Sequence, residues 1–250
     1  MAVIDITKKW PVGKKLRICF MDGTDDIHRK VEEYAREWEG FVNLRFQFGH
    51  PVKDSDVRIS FDPMYFDDGS WSCLGTSALD AVYSGKATMY LVPNDGPEFR
   101  STVLHEFGHM LGFEHEHQSP HASGCFRWNE EAVKKDVAKK PSEDIGSKFD
   151  YFHIHQGPDN ESTAFDPNSI MIYKIYPHWT TNGWSCPSAT VLSDLDKSFA
   201  TQHYPFPRPP RRAISPRRWV EVPCLCGATL TRPYHFRQRK ACRCEQAVKA

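Results

Sequence analysis

The segment HEFGHMLGFEHE, from His105 to Glu116, constrains the fold more than any other part of the chain. His105 and His109 are four residues apart, so a helix places both imidazoles on one face. There they can bind one Zn²⁺ at about 2.0–2.1 Å each. Glu106 follows the first histidine, in the position where zinc proteases carry a general base. The segment therefore predicts a helix that holds two metal ligands and a catalytic carboxylate.

A third ligand is predicted just beyond that helix. Gly112 can adopt the left-handed conformation that ends a helix and turns the chain. His115, three residues later, then returns to the metal, and a fourth position stays open for water, as in catalytic zinc sites. A solvated helix with scattered histidines would not need this common register. A gluzincin, whose third ligand is a distant glutamate, is the chemical alternative, and Gly112 and His115 argue against it.

A methionine in a tight apolar turn is expected downstream of such a motif. Residues 168–173 read NSIMIY, and Met171 would lie beneath the metal as an apolar floor and not as a ligand. Together, HEFGHMLGFEHE and SIMIY resemble the astacin family of zinc endopeptidases, with a likeness over about residues 10–204. The resemblance implies an α+β, metzincin-like zincin fold. Its parts are a twisted, mostly parallel sheet, an active-site helix and an irregular C-terminal subdomain.

The resemblance also assigns roles to two residues beside the ligands. In that family, a glutamate directly after the third histidine joins a buried network and meets the N-terminus of the trimmed chain, and Glu116 matches it. Trimming of this chain would have to remove the residues before about Thr7 or Trp10. A tyrosine two residues after the turn methionine is a family zinc ligand that swings out to support the oxyanion, and Tyr173 matches it. The implied activity is hydrolysis of protein or peptide substrates by zinc-activated water.

Hydrophobic patterns predict the other elements. Alternating apolar and polar residues predict half-buried strands over 44–48 and 57–61, and apolar runs predict strands over 16–21 and 87–92. Helical periodicity predicts helices over 25–38 with Asp25 as N-cap, and over 100–111, 129–137 and 193–204. Residues 141–168 are predicted to be mostly loop around one short helix. This order fits a sheet with helices packed on it.

Several further residues have two possible interpretations. Residues 71–76 (WSCLGT) could edge a substrate cleft and bind peptide by strand addition, or form an apolar loop on the sheet. His117 and His121 lie in a polar segment and are predicted to be surface histidines. His153 and His155 are not expected to bind metal.

Composition limits the compartment without deciding it. No stretch approaches the about 20 apolar residues needed to span a bilayer. The first 15 residues contain no apolar core of a secretory signal, so the chain is expected to be cytoplasmic or exported by another route. Reduced thiols are then the default for Cys19, Cys73, Cys125 and Cys186. The family resemblance implies two disulfides, whose pairing the spacing does not place.

The composition changes sharply after residue 205. From Phe206 onward the chain carries 11 Lys and Arg against 2 Asp and Glu, whereas residues 1–205 carry 21 and 30. We therefore predict a peptidase domain over 1–205, a Pro/Arg-rich linker over 206–223 and a basic Cys-rich module over 224–250. The tail could bind nucleic acid, an acidic surface or its own catalytic domain.

The tail contains two pairs of cysteines that could bind a second zinc ion. Cys224 and Cys226 are separated by 15 residues from Cys242 and Cys244, and four thiolates can form a tetrahedral structural site. Zinc ribbons normally have two residues between paired cysteines, so disulfides and free thiols stay open as alternatives.

Three classes of function follow. The first is an active zinc endopeptidase. The second is a catalytically idle binding protein on the same fold, against which the intact Glu106 and Tyr173 argue. The third is an adaptor whose basic Cys-rich tail binds nucleic acid or an acidic protein, with proteolysis secondary.

Overall fold

The computed structural model describes residues 3–65, 69–138, 151–207, 219–223 and 229–233. The chain divides into two units, Met1–Phe206 and Pro207–Ala250, and each is described by itself. The division falls close to the change in composition after residue 205.

The described helices and strands are these. The helices are α1 (Asp25–Ala35), α2 (Glu98–Met110), α3 (Glu130–Val137) and α4 (Asp194–His203). The strands of the first unit are β1 (Val3–Asp5), β2 (Lys15–Phe20), β3 (Arg45–Phe48), β4 (Val57–Ser60), β5 (Trp71–Ser72), β6 (Met89–Tyr90), β7 (Phe113–Glu114) and β8 (Asn160–Ser162). Those of the second unit are β9 (Trp219–Pro223) and β10 (Thr229–Pro233).

The main sheet of the first unit has five strands in the order β3-β2-β4-β6-β5. The first four run parallel, with Ile18 opposite Val57 and Ile59 opposite Met89, and β5 is an antiparallel edge strand. This mostly parallel α+β arrangement is the predicted fold class. A parallel sheet is usually covered on both faces. One core cluster accordingly joins residues of the sheet to residues of α1, α2 and α4.

Strand β4 corrects the prediction of a half-buried strand over residues 57–61. All four of its residues are buried, because it lies between β2 and β6 in the sheet. The alternating polar residue Arg58 is only 6% exposed, and its guanidinium donates hydrogen bonds to the carbonyls of Ser55, Ala78, Tyr83 and Lys86. Burial of this cation is therefore offset by charge-assisted hydrogen bonds to the Ser55 carbonyl and to three carbonyls of the loop that follows β5.

The helices agree with their predicted positions except at some ends. The N-cap of α1 is Thr24 and not Asp25, because the Thr24 side chain accepts the Ile27 N–H. The helix ends at Ala35, before a 3₁₀ turn over Trp38–Gly40. Asn129 caps α3, and Ser193 and Asp196 form a capping box at the start of α4.

A second sheet, in the order β7-β1-β8, was not predicted. Its middle strand β1 pairs antiparallel with both neighbours, and Val3 and Ile4 are fully buried. Strand β8 lies within the stretch predicted to be mostly loop. Trimming before Thr7 or Trp10 stays a prediction, and such a cut would delete the strand that joins β7 to β8.

The second unit contains an antiparallel pair, β9 and β10, with Pro223 opposite Thr229. Strand β9 occupies the last five residues of the predicted linker. Cys224, Cys226, Cys242 and Cys244 lie outside the described residues. Across the part of the chain that is described, no helix is both long and apolar enough to cross a membrane.

Candidate metal centre

Helix α2 and the turn after it bring the predicted ligands together. His105, Glu106 and His109 lie on the C-terminal half of α2, as predicted. Gly112 has a φ of +95°, the left-handed conformation expected at that position, and β7 then leads the chain to His115. A side chain at Gly112 would be strained by that φ, so the glycine allows the turn.

The three imidazoles converge on one point. Nε2 of His109 lies 3.2 Å from Nε2 of His105 and 3.0 Å from Nε2 of His115. Two nitrogen ligands of a tetrahedral zinc ion are about 3.3 Å apart, given bonds of about 2.0–2.1 Å. The spacing therefore fits one metal ion. Within the described residues, this trio is the one group of three or more His, Cys, Asp or Glu side chains with metal-binding geometry.

The other ring nitrogen of each histidine is held by an oxygen acceptor. Nδ1 of His105 lies 2.8 Å from the Ile170 carbonyl, and Nδ1 of His109 lies 2.7 Å from the Phe113 carbonyl. Nδ1 of His115 lies 3.0 Å from Oε1 of Gln118. Since these oxygens accept hydrogen bonds, the Nδ1 atoms carry the protons and the Nε2 lone pairs face the centre.

Electrostatics favour the neutral form of these histidines. Burial lowers the pKa of His105 and His115, the latter well below its usual range. Burial also lowers the pKa of His109 to about 3, with a smaller contribution from His105. A neutral imidazole is the form that coordinates a cation, so the protein holds its ligands ready for binding.

Glu106 is buried beside the histidines without a full set of hydrogen bonds. Its Oε2 atom has no hydrogen-bond partner among the residues that the structure describes. Burial raises the pKa of this carboxyl to about 8. A buried polar atom without a partner calls for an explanation, and a role toward a bound water or metal supplies one.

Tyr173 stands against the histidine trio. Its ring centroid is 4.1 Å from that of His115 and 5.6 Å from that of His105, and the side chain is 36% exposed. The residue therefore lies where the family resemblance places a tyrosine that acts on the substrate.

His117 is not the surface residue that its polar surroundings predicted. It is 1% exposed, and its ring stacks near those of His115, Tyr151 and Tyr173, with centroid distances of 5.0–5.7 Å. The 3₁₀ turn over Glu116–Gln118 directs the ring inward, which polarity alone does not indicate. Burial lowers the pKa of His117 to about 3.

Three further histidines lie outside the trio. His121 and His153 are exposed, and His155 is partly buried. The Nε2 atom of His155 lies 3.4 Å from Oε1 of Gln118, but none of the three joins the metal-binding trio.

Met171, the predicted apolar floor, packs against α2. It is fully buried, and a Cβ built at Gly108 would lie 2.3 Å from the Met171 sulfur. Gly108 therefore lets the turn methionine approach the backbone of α2 between the two helical ligands. The glycine in the segment FGHM indicates that another group approaches α2 closely at this position. Only the folded chain shows that this group is the Met171 sulfur.

Glu116 is fully buried beneath the site, as the resemblance implied. Its backbone N–H donates to the Met171 carbonyl at 3.0 Å, and its Oε1 accepts the Asp166 N–H at 2.8 Å. Asp166 in turn accepts the Ser193 hydroxyl at 2.6 Å. These bonds connect the end of the histidine motif to the cap of α4.

A cleft of about 390 Å³ opens at the centre. It is lined by residues of α2, of the turn around Met171 and of the chain near β5 and β6: Ser70, Val92, Glu98, Ser101, Thr102, His105, Glu106, Ile170, Ile172, Tyr173, Lys174, Ser188 and Ala189. Both interpretations of segment 71–76 stay predictions, and none of its residues lines this cleft. Its first two residues form edge strand β5, and at Gly75 it approaches the Lys8 carbonyl closely.

Sequence comparisons agree with the geometry. The model of the Astacin peptidase family matches residues 2–185. The chain is 28% identical over 197 residues to the astacin-like metalloendopeptidase of Mus musculus, covering 70% of this chain and 38% of that protein. It is 28% identical over 170 residues to nematocyst expressed protein 6 of Nematostella vectensis, covering 67% and 51%. The chain thus spans about half or less of the length of these two relatives.

Solved structures show the same likeness. A structure of myroilysin is 33% identical, with a TM-score of 0.74, and the match covers 83% of this chain and 100% of that chain. High choriolytic enzyme 1, a hatching enzyme zinc-protease from Oryzias latipes, has a TM-score of 0.52 over 79% and 94% of the two chains. At 19% identity this second match concerns the fold alone.

Proposed function

The chain belongs to the Astacin family of peptidases, and from this premise we propose that it is a zinc-dependent endopeptidase that hydrolyses protein or peptide substrates. The observation that carries the proposal is the convergence of three neutral imidazoles beside a buried carboxylate, at the wall of an open cleft. His105, His109 and His115 would hold the metal. When bound, zinc would supply a Lewis acid and a water of lowered pKa.

The chain's own residues would supply the proton transfers and part of the charge stabilisation. Glu106 would accept the proton of the attacking water and pass it to the leaving amine, because its carboxylate faces the cleft without a full set of partners. The Tyr173 hydroxyl would donate a hydrogen bond to the oxyanion of the tetrahedral intermediate. The cleft beside α2 would hold the peptide in an extended form.

Cleavage of casein by the purified full chain tests this function. We expect cleavage that a zinc chelator stops and that added Zn²⁺ restores. Replacement of His115 by alanine should abolish both zinc binding and cleavage, and His121→Ala, outside the trio, serves as the control. Zinc binding without cleavage would support the idle binding protein instead. Full activity of His115→Ala would support a gluzincin.

The four tail cysteines are the second part of the proposal. Cys224, Cys226, Cys242 and Cys244 would hold a structural zinc ion, since so short a module has little core of its own. Metal analysis of the full chain should then give two equivalents of zinc, one of which is missing from residues 1–206. A single equivalent in both proteins would leave disulfides or free thiols as the state of the tail.

Charge alone supports a binding role for the tail. With 11 basic and 2 acidic residues, the tail would attract a polyanion such as nucleic acid, or the net negatively charged segment 1–206 of the same chain. Salt-dependent retention of DNA or RNA by the full chain, but not by residues 1–206, would support the first. Neither outcome bears on the peptidase proposal.

A further inference from the structure

Asp196, on the first turn of α4, is a buried carboxylate that the proposed mechanism does not use. It is fully buried, although its formal place is the N3 position of a helix cap that could lie at the surface. Its Oδ2 atom accepts the Ser193 N–H at 2.8 Å, which completes the capping box. A cap needs no more than this one bond, so the other contacts of the carboxylate need a separate reason.

Those other contacts all go to the turn that contains Met171. Oδ2 of Asp196 also accepts the Ile170 N–H at 2.8 Å, and Oδ1 accepts the Ser169 hydroxyl at 2.7 Å. The Ser169 oxygen in turn accepts the Met171 N–H at 3.0 Å. One carboxylate therefore fixes three consecutive residues of the turn.

The turn passes this constraint to the candidate metal ligands. The peptide unit whose carbonyl belongs to Ile170 accepts Nδ1–H of His105 at 2.8 Å. The next carbonyl, of Met171, accepts the N–H of Glu116, directly after His115. Asp196 is thus connected to His105 through Ile170 and to the residue after His115 through Met171. It lies about ninety positions further along the sequence than His105.

We infer that Asp196 is a positioning residue for the metal centre, which orients the Ile170 carbonyl and with it the imidazole of His105. The inference rests on the proposed zinc site and adds a residue to it. Its physical basis is that outer contacts of a metal-bound histidine fix the tautomer and ring direction, so their loss weakens metal binding even where the fold survives.

Asp196→Asn tests the inference in the full chain, with Zn²⁺ and Co²⁺ as probes. The amide keeps the size of the carboxylate but turns an N–H₂ group toward one of its three donors. We expect Zn²⁺ affinity, measured by competition with a chelator, to fall about tenfold or more. The visible absorption spectrum of bound Co²⁺ should also change, because His105 leaves its orientation.

Two control variants separate positioning from stability. Asp194→Asn changes an exposed carboxylate on the same helix turn and should leave metal affinity and stability unchanged. Ser193→Ala removes the hydroxyl that accepts the Asp196 N–H and donates to Asp166, but leaves the contacts of Asp196 with the turn. It should lower the unfolding temperature without weakening Zn²⁺ binding.

The outcomes are distinct. The inference is overturned if Asp196→Asn folds and binds Zn²⁺ as tightly as the wild type. It is also overturned if Asp196→Asn and Ser193→Ala both weaken Zn²⁺ binding in proportion to their loss of stability. If Asp196→Asn does not fold, Ser169→Ala removes one of the same contacts and should weaken Zn²⁺ binding less than tenfold but measurably; unchanged affinity there overturns the inference. A wild-type chain that binds no Zn²⁺ overturns the proposed function itself.

Discussion

At the scale of single residues, the centre combines groups that are costly to bury. Glu106 has a carboxylate oxygen without a partner in the described part of the chain, next to three neutral imidazoles. Such a group opposes folding, because burial raises its pKa to about 8 and neutralises a carboxylate that the unfolded chain keeps ionised and hydrated. Its retention is understandable if the same carboxylate moves a proton during catalysis, where a carboxyl of raised pKa is useful.

Glu106→Gln should therefore separate stability from activity. We expect the variant to bind Zn²⁺ like the wild type, while kcat for peptide cleavage falls about 10³- to 10⁴-fold, because the amide cannot accept a proton. In the metal-free protein the same change should raise the free energy of unfolding by about 1–3 kcal/mol, since a neutral amide replaces a buried carboxyl. Urea unfolding and a fluorogenic peptide assay measure the two effects.

The exposed Glu33 on α1 provides the matched control, because Glu33→Gln changes the same functional group away from the cleft. It should alter neither quantity. Undiminished turnover in Glu106→Gln would exclude Glu106 as the base and leave the metal ligands untouched.

Tyr173→Phe should reduce kcat with little effect on KM. The hydroxyl would act on charge that develops only in the transition state, and loss of one such donor costs about 10²- to 10³-fold in kcat. Tyr176→Phe, which removes the hydroxyl of an exposed tyrosine three residues away, should be silent. If kcat stayed constant and KM instead rose by about the same factor, Tyr173 would be assigned to substrate binding alone.

At this scale, the sequence predicts what depends on local spacing and misses what depends on distant partners. The places of His105, Glu106, His109 and the turn at Gly112 follow from helix geometry and were predicted. The ring orientations are fixed by the backbone carbonyls of Ile170 and Phe113 and by the Gln118 side-chain amide. Every residue has a backbone carbonyl, so residue type does not indicate which carbonyl accepts from a histidine. The burial of His117 was not predicted, because its neighbours in the sequence are polar and do not indicate that the turn directs this ring into the core.

At the scale of elements, the C-terminal end of α2 is held by two aromatic side chains. The indole N–H of Trp10 donates to the Met110 carbonyl at 2.7 Å, and the Tyr204 hydroxyl donates to the Leu111 carbonyl at 2.6 Å. The Tyr204 hydroxyl oxygen also accepts the backbone N–H of Trp10 at 3.3 Å. The last carbonyls of a helix lack partners within the helix, so these side chains satisfy them in a buried place where water cannot.

Tyr204→Phe should destabilise the domain by about 1–3 kcal/mol, because it leaves the Leu111 carbonyl buried without a donor. The phenyl ring keeps the packing, so the loss isolates the hydroxyl. Urea unfolding of the zinc-loaded protein measures it, and Tyr176→Phe is again the control. An unchanged unfolding midpoint would mean that another donor replaces the hydroxyl.

Helix α4 also provides a pH-dependent contact. The His203 side chain is 4% exposed and lies against Phe199, with Nε2 3.7 Å from the half-exposed carboxylate of Glu161 on β8. Burial, with a smaller contribution from Lys9, lowers the pKa of His203 to about 4, and the attraction to Glu161 only partly opposes this. The folded imidazole is therefore neutral where the unfolded chain, with a histidine pKa of about 6.5, binds a proton.

A depressed histidine pKa stabilises the fold above the unfolded pKa, and this contribution is lost as the pH falls from about 6.5 toward 4. We expect the wild type to lose about 1 kcal/mol more than His203→Gln between pH 7 and pH 5, a value reduced from the full shift because solvent reaches the Glu161 side. Urea unfolding at the two pH values gives the comparison. Equal losses in both proteins would show that His203 does not control the acid sensitivity.

The elements themselves were predicted where their pattern is internal and missed where pairing creates them. Periodicity identified α1 to α4 and strands β3 and β4, and apolar runs identified β2 and β6, because each signal lies within the element's own residues. Strands β1, β7 and β8 have two or three residues each and form only because they pair with one another. Burial of Arg58 on β4 likewise depends on three carbonyls of the loop between β5 and β6 and on the Ser55 carbonyl, which the alternating pattern cannot reveal.

At the scale of the whole molecule, the two units differ in what they contain. Unit Met1–Phe206 holds both sheets of the catalytic body, all four described helices and the histidine trio. The sequence places a change in charge and proline content close to this division, since both are local properties. It could not predict where a cut leaves the body intact, because that depends on which final residues are bonded to the core.

A chain that ends at Phe206 should keep the fold and the activity. Tyr204 and Pro205 are bonded to Asn43, through the Tyr204 carbonyl at 2.8 Å and the Pro205 carbonyl at 3.1 Å, and the Tyr204 hydroxyl holds the end of α2. We therefore expect residues 1–206 to unfold at the temperature of the full chain, to bind one zinc at the histidine trio and to cleave casein at the same rate. A chain that ends at His203 is the matched control and should unfold at a lower temperature, because it loses those bonds. If residues 1–206 fold and bind zinc but cleave more slowly, the basic tail takes part in substrate binding, and the boundary of the functional peptidase lies beyond the boundary of the folded body.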